Sequence, residues 1–179
     1  MIIFRDTEAG KTNLLKAALG EIVRRRDVLS NDVVVVDPRR SLLDFVPTPP
    51  QRRYVTTQEQ ASEVFVALDK YLRARLSGPD VTPAQLRERS WWKGPEMVIV
   101  IDDYVVLVPS GTALNPFSPL VPLLPHARDI GLHIIVARKS SGAARAIFDS
   151  SISGLRDNSA AAVLLSGDLE TRPKECQRK

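Results

Sequence analysis

The sequence predicts an α/β fold: a mostly parallel sheet flanked by helices. Three observations lead there. Continuous apolar runs recur at residues 1–4, 33–36, 97–101 and 132–137, and unbroken runs of this kind suit strands covered on both faces. Helical patterns lie between them, which sets up crossover connections and parallel pairing. Polar residues close several runs, at the sheet edge where open α/β folds hold their ligands.

The first run leads into Arg5-Asp6-Thr7-Glu8-Ala9-Gly10-Lys11-Thr12. Apart from Arg5, these positions fit the phosphate-loop pattern G-x-x-x-x-G-K-[ST]. Arg5 stands where the pattern has its first glycine, whose backbone freedom arginine lacks. From Thr12 onward Leu14, Leu15, Ala18, Leu19 and Ile22 recur at helical spacing. Strand, loop and helix in that order favour the phosphate-loop reading over an ordinary strand-to-helix turn. Backbone N–H groups around Ala9 to Thr12 would wrap a phosphate, aided by the positive end of the helix. Lys11 would reach the β- and γ-phosphates, and the Thr12 hydroxyl would take Mg²⁺.

Arg24-Arg25-Arg26-Asp27 ends the first helix, and the second strand, 33–36, runs into Asp37-Pro38-Arg39-Arg40. Pro47, Pro49 and Pro50 mark a loop before a short extended piece near Tyr54-Val55. A second long helix is expected from Thr57 to about Leu76, with Ala61, Val64, Phe65, Leu68 and Leu72 as its apolar face. Ser77-Gly78-Pro79 stops it. Thr82-Pro83-Ala84-Gln85 has the form of a capping box, opening a short helix to about Arg89. Trp91 and Trp92 read as packing at an element edge rather than a ligand platform.

Residues 97–101 form a third strand closed by Asp102-Asp103. In nucleotide hydrolases such a pair supplies a carboxylate for the Mg²⁺ shell, here Asp102, and one to orient or deprotonate water, here Asp103. Many α/β strands end in aspartate, so the pair supports the loop reading without deciding it. Asp103 is one methylene shorter than the usual glutamate. Pro119, Pro122 and Pro125 permit only short or kinked helical turns before Gly131. His133, inside the strand 132–137, reads as a hydrogen-bonded core or edge residue, and His126 as a surface one. Neither has a partner at metal-ligand spacing, so no structural metal is expected. Arg138-Lys139-Ser140-Ser141-Gly142 lies at the ligand-facing strand end. Ser141 would cap a helix over 143–148, and 162–165 would be the last strand.

A chain of 179 residues is long enough for one cored domain. The expected division is a single domain over 1–168 and a polar tail over 169–179. The single cysteine, Cys176, precludes an internal disulfide, as suits a cytoplasmic protein. No apolar run reaches the ~18 residues of a membrane span, and Arg5 and Asp6 interrupt any signal-peptide pattern at once. A chain starting on its first strand is expected to be a fragment of something longer. The net charge of +4 lies partly in clusters at 24–26, 39–40 and 52–53. These read as solvated faces and loop charges before a nucleic-acid patch.

The residues resemble a known family. Asp6-Thr7-Glu8-Ala9-Gly10-Lys11-Thr12-Asn13-Leu14-Leu15 is similar to the nucleotide loop of FtsK/SpoIIIE-type ATPase domains, and more narrowly to a C-terminal ATPase domain of EccC, the motor of type VII (ESX) secretion. Val36-Asp37-Pro38-Arg39-Arg40, Ile101-Asp102-Asp103-Tyr104, Asn115-Pro116 through Leu124-Pro125, Gly131 through Arg138, Ser140 through Ala146, and Leu165-Ser166-Gly167-Asp168 extend the likeness over most of the chain. The resemblance implies a RecA-like P-loop NTPase with helices on both sheet faces. It implies ATP and Mg²⁺ as ligands, with Asp6, Thr7, Glu8, Ala9, Gly10, Lys11, Thr12 and Asn13 around the nucleotide, Thr12 and Asp102 on the metal, and Asp102 and Asp103 as the catalytic pair. It further implies other ATPase domains of the same motor and secreted Esx-type proteins as partners, a hexameric full-length motor with a monomeric isolated fragment, and a cytoplasmic place at the inner face of the plasma membrane. Arg138-Lys139 departs from the family, standing where DNA-translocating relatives carry a small polar sensor. The end, 169–179, also departs from the usual finish.

Three functions compete on this basis: a nucleotide-binding module with weak or absent hydrolysis, favoured by Arg5 and Asp103; an active ATPase of the same motor; and a DNA translocase. No direct DNA binding is expected, since the chain shows no DNA-reading module and no aromatic-basic stacking pattern. An active enzyme needs an arginine at the phosphates, for which Arg138, Arg145 and Arg156 are unranked candidates.

Overall fold

A computed structural model describes residues 1–5, 10–24, 31–45, 52–108, 115–139, 149–158 and 161–165. Its strands are β1 (Ile2–Arg5), β2 (Asn31–Val36), β3 (Arg52–Val55), β4 (Glu96–Ile101), β5 (Leu132–Lys139) and β6 (Ala162–Leu164). They form one sheet in the order β3-β2-β4-β5-β1-β6, and every pairing is parallel. The helices are α1 (Lys11–Arg24), α2 (Gln58–Arg73), α3 (Pro83–Glu88), α4 (Tyr104–Leu107) and α5 (Ser150–Asp157), with a 3-10 helix over Ser118–His126.

The sheet is covered on both faces, which is why its strands are apolar without alternation. On one face Leu15 and Leu19 of α1 pack on Ile3, Val33, Val35, Val98, Val100 and Ala137. On the other, α2, α5 and the 3-10 helix bury Phe65, Leu72, Phe117, Leu120 and Leu155 against Ile2, Phe4, Val34, Ile99, Ile134 and Val136. Phe65 and Phe117 meet edge to face, 5.6 Å between ring centroids, a geometry their quadrupoles favour.

Local signals explain the borders. Thr57 caps α2 by accepting from Gln60 N, and Thr82 with Gln85 closes a reciprocal capping box on α3. The prolines at 122 and 125 hold residues 118–126 to 3-10 geometry, as the expected short turns required. The extended piece near Tyr54 is an edge strand, β3. Helix α5 is an element the periodicity did not reveal: its eight residues hold three serines and a glycine. The helix expected over 143–148 and the tail at 169–179 lie outside the described residues.

Trp91 and Trp92 pack as expected. Trp91 donates its indole N–H to the Arg75 carbonyl at 2.7 Å, and Trp92 donates to that of Asp129 at 2.8 Å. Between them the buried Arg75 guanidinium donates to Ile130 O, Pro95 O and Tyr71 Oη, and stacks on Trp92 and Tyr71. This staple ties the end of α2 to the turns that start β4 and β5. His133 is bonded to Glu96 at 3.0 Å on an exposed flank, and His126 is exposed.

Candidate functional site

Strand order decides what gathers at the carboxyl edge. β5 lies between β1, which runs into the phosphate loop, and β4, which ends at the acidic pair. Arg5 pairs with Lys139 and Phe4 with Arg138. Across β5, Ile101 pairs with Val136. The carboxyl ends of β1, β4 and β5 thus share one edge, which brings Arg138 and Lys139 beside the start of the acidic pair.

Helix α1 begins with Gly10 at φ +78, a left-handed conformation that a side chain would strain. Gly10 O accepts from Leu14 N at 2.9 Å, the helix's opening bond. The N–H groups of Lys11, Thr12 and Asn13 therefore have no acceptor within the helix. No acidic residue sits in this first turn. Three such donors at a helix start suit phosphate oxygens. Of the expected loop residues, Asp6, Thr7, Glu8 and Ala9 lie outside the described residues, and Lys11 is described by its backbone. Gly10, Thr12 and Asn13 are at the start of α1.

The acidic pair is held by the turn that follows β2. Asp37, fully buried, accepts from Leu42 N at 2.7 Å, Tyr54 Oη at 2.8 Å and Ser41 Oγ at 3.3 Å. These bonds fold 37–42 into a tight turn in which Arg40 adopts φ +57. Ser41 Oγ then donates to Asp102 at 2.8 Å, and the Arg39 guanidinium forms an ion pair with Asp103. Both acids are buried. Asp103 adopts φ 51, ψ 55 and precedes α4 without capping it. Aspartate tolerates this left-handed conformation better than most residues. Asp102 follows Val98 and Val100 in the strand alternation, on the α1 face, while Asp103 turns toward Arg39. A hydroxyl at Thr12, a carboxylate at Asp102 and first-turn N–H groups are oxygen and N–H donors of the kind a magnesium nucleotide takes, the metal needing one or two carboxylates besides phosphate and water.

A second polar group adjoins the first. The Tyr104 phenol donates to the Asp149 carboxylate at 2.8 and 3.0 Å. Asn115 Nδ2 donates to Ser151 Oγ at 2.8 Å and to Tyr104 Oη at 3.2 Å. Asp149 also caps α5, accepting from the N–H groups of Ser151 and Ile152. Burial drives the Tyr104 phenol far above its ordinary pKa, and the Asp149 charge adds to this against a hydrogen bond from Ser151. Tyr104 therefore stays a neutral donor. Arg138, with 6% of its surface exposed, is buried at the same edge. Burial lowers its pKa, while the charge of Asp149 pulls it back up. It remains a cation at neutral pH.

Of the three candidate arginines, Arg138 stands at the acidic edge. Arg156 lies in the last turn of α5 beside Asp157, and Arg145 lies outside the described residues. Sequence reasoning did not assign roles to Ser41, Tyr54, Asn115, Tyr104 and Asp149. At the opposite, amino-terminal ends of β4 and β5 is a hollow of about 530 Å³, lined largely by apolar side chains including Val98, Leu124, Leu132 and Leu155. Among the described residues no helix is long and apolar enough to cross a membrane.

No protein-family model matches the chain. Individual proteins do. EccC4, an ESX-4 secretion system protein of Mycobacterium tuberculosis, is 43% identical over 176 residues, 98% of this chain and 14% of the relative. The EccC of Thermomonospora curvata is 40% identical over 169 residues, 94% of this chain and 13% of its own length. The chain belongs to the EccC-type ATPase domains. It spans about one seventh of the length of these relatives. Among solved structures, T. curvata EccC containing ATPases 2 and 3 in complex with a signal sequence peptide superposes with a TM-score of 0.87. That match is 38% identical and covers 95% of this chain and 30% of the other. The cytoplasmic domain of EssC, at 17% identity and a TM-score of 0.68 over 93% of this chain and 31% of its own, shares the fold. The RecA-like P-loop architecture expected from the sequence is the one these neighbours have, and the EccC resemblance holds over nearly the whole chain.

Proposed function

We propose that this EccC-type domain binds ATP with Mg²⁺ and hydrolyses it weakly or not at all. It would serve a type VII secretion motor by holding its neighbouring domains and its substrate in a nucleotide-dependent arrangement. Lys11 would contact the β- and γ-phosphates, the N–H groups at the start of α1 would cradle them, and Asp6, Thr7, Glu8, Ala9, Gly10 and Asn13 would complete the loop. Thr12 and Asp102 would hold the metal, which supplies charge neutralisation at the phosphates.

The observation that carries the weak-turnover reading is the Arg39–Asp103 ion pair. Asp103 is the group available to orient water. A guanidinium on its carboxylate occupies the lone pairs that water would use. Asp102, held by Ser41 instead, stays directed to the α1 side, where the metal would be. Binding and hydrolysis are thus separated: the binding acid is positioned, and the second acid is engaged.

The wider role follows from the likeness. The chain matches a T. curvata EccC structure composed of ATPases 2 and 3 with a signal sequence peptide. By that likeness the partners of this domain are other ATPase domains of the motor and secreted helical-hairpin proteins, and its place is the cytoplasmic side of the membrane. An active ATPase is the second reading, favoured by the retention of Lys11, Thr12, Asp102 and Asp103 together.

The test is titration calorimetry of the chain with Mg-ATP, for wild type and Lys11→Ala, with phosphate release followed in the same samples. Micromolar or tighter binding that is lost in the variant, without turnover, is the expected result. Turnover that depends on Lys11 replaces it with the active-motor reading. In that assay Arg39→Gln is expected to raise phosphate release above wild type. No gain there removes the ion pair as the cause of slow chemistry.

A further inference from the structure

We propose that Ser41 sets the metal preference of the nucleotide site: by holding one oxygen of the Asp102 carboxylate, it makes Asp102 a one-oxygen ligand, suited to Mg²⁺ and ill suited to Ca²⁺. The proposal rests on the nucleotide-binding reading above, in which Asp102 meets the metal, and adds which cation the site selects and by what means. Ser41 acts through Asp102, so it is a positioning residue.

The Ser41 hydroxyl lies between two buried carboxylates. Its Oγ is 2.8 Å from Asp102 Oδ2 and 3.3 Å from Asp37 Oδ1. A serine hydroxyl has one proton to donate. The contact to Asp102 has the common length of an O–H···O bond, and the one to Asp37 is beyond the usual range. Asp37 also has other donors: Leu42 N–H at 2.7 Å and Tyr54 Oη at 2.8 Å, both on its Oδ2. The proton of Ser41 therefore goes to Asp102.

The donor is fixed from behind. Arg40 N donates to the Asp37 carbonyl at 3.1 Å, closing the turn that carries Ser41. The next residue, Leu42, is fully buried in the core on the α1 side of the sheet. The acceptor is fixed by the same strand: Asp102 N donates to Val36 O at 2.9 Å, one residue before Asp37. Backbone and one carboxylate oxygen of Asp102 are thus both tied to β2 and its turn. A carboxylate held in this way cannot rotate to offer both oxygens to one ion without giving up the Ser41 bond.

The two common divalent cations respond to that constraint differently. Mg²⁺ demands near-ideal octahedral geometry, and the two oxygens of one carboxylate lie too close together to fill neighbouring corners well. Ca²⁺ is larger, takes more ligands and accepts a carboxylate through both oxygens. The Ser41 bond therefore costs Mg²⁺ nothing and pre-sets the oxygen it needs, while it denies Ca²⁺ a chelating mode. An oriented ligand of this kind is what residues behind a metal's ligands supply.

The experiment is calorimetry of the chain with a slowly hydrolysed ATP analogue in Mg²⁺, in Ca²⁺ and in a chelator, for wild type, Ser41→Ala, Ser41→Thr and Asp102→Asn. Thermal unfolding of the nucleotide-free chain verifies that each variant is folded. Ser41→Ala is expected to weaken binding roughly 10-fold in Mg²⁺ and less than about 2-fold in Ca²⁺ or chelator, so that the preference for Mg²⁺ falls by about 5-fold or more. Ser41→Thr keeps the hydroxyl and the wild-type preference. Equal weakening in all three media makes Ser41 a structural residue of the turn and overturns the proposal, as does a Mg²⁺-to-Ca²⁺ ratio that Ser41→Ala leaves unchanged. A threonine ratio that falls as far as the alanine one removes the hydroxyl as the cause. Asp102→Asn is expected to abolish the metal's contribution to affinity. If that contribution survives, Asp102 is not the ligand and Ser41 has nothing to position. If wild type binds the analogue in none of the three media, the binding reading fails first and this one with it.

Discussion

Arg75 and Arg138 are buried at opposite ends of the same sheet, 3% and 6% exposed. Arg75 reaches two carbonyls and a phenol and lies against two aromatic rings. Among the described residues Arg138 has one long backbone bond. The amino-terminal arginine closes a structure, with its partners supplied by the chain. The carboxyl-terminal one has a single, long backbone acceptor among the described residues. Two cations equally buried can differ this much in the acceptors that the described residues give them.

That difference can be broken by mutation. The largest effect is expected at Arg75→Ala, which strands Ile130 O, Pro95 O and Tyr71 Oη. Losing this network should cost roughly 3 kcal/mol or more, lowering Tm by roughly 6–12 °C for a chain of this size. A loss under about 1 kcal/mol in urea unfolding would mean that the staple is ornamental.

Gly131→Ala comes next. Gly131 adopts φ +70, and an added Cβ would lie 2.7 Å from the Trp92 ring that stacks on Arg75. A destabilisation of about 2 kcal/mol is expected, together with a shifted tryptophan emission. An unshifted emission would detach Trp92 from the staple. Thr82→Ala, which opens the capping box on α3, should cost about 1 kcal/mol. If α3 merely leads into the tryptophan turn, the emission stays unchanged while unfolding moves to lower urea. The smallest effect is the most informative. Arg138→Met should leave the nucleotide-free chain within about 0.5 kcal/mol of wild type. A loss as large as that at Arg75 would erase the contrast and make both arginines structural.

What could be read from sequence followed the range of the interaction. The runs at 33–36, 97–101 and 132–137 announced buried parallel strands because both of their faces are covered. The apolar stripe from Ala61 to Leu72 and the Thr82–Gln85 box are local, and they appear where expected. Asp102 and Asp103 were legible as a pair, since strand end and acid are adjacent in the chain. Their holders were not. Ser41 meets Asp102 across the sheet edge, and nothing near Ser41 announces it. Tyr104 and Asp149 are joined by tertiary packing, and α5 is short, serine-rich and interrupted by Gly154, so helical periodicity had little to register. The ranking of Arg138 above Arg156 also needed topology, because only strand order sets β5 between loop and acids.

The order of the sheet also bears on when this domain becomes competent. β1 is made first, yet both of its neighbours are made late: Ile2 pairs with Val136 and with Ala162. Non-local pairing of this kind is slow to close. At ordinary synthesis rates of ~5–20 residues per second, the gap lasts on the order of ten seconds on the ribosome. During that interval the strand that launches the phosphate loop has no neighbour to fix it. A nascent chain therefore cannot assemble this sheet edge until β5 and β6 have emerged, and any longer polypeptide containing this domain completes the edge only when the domain itself is complete.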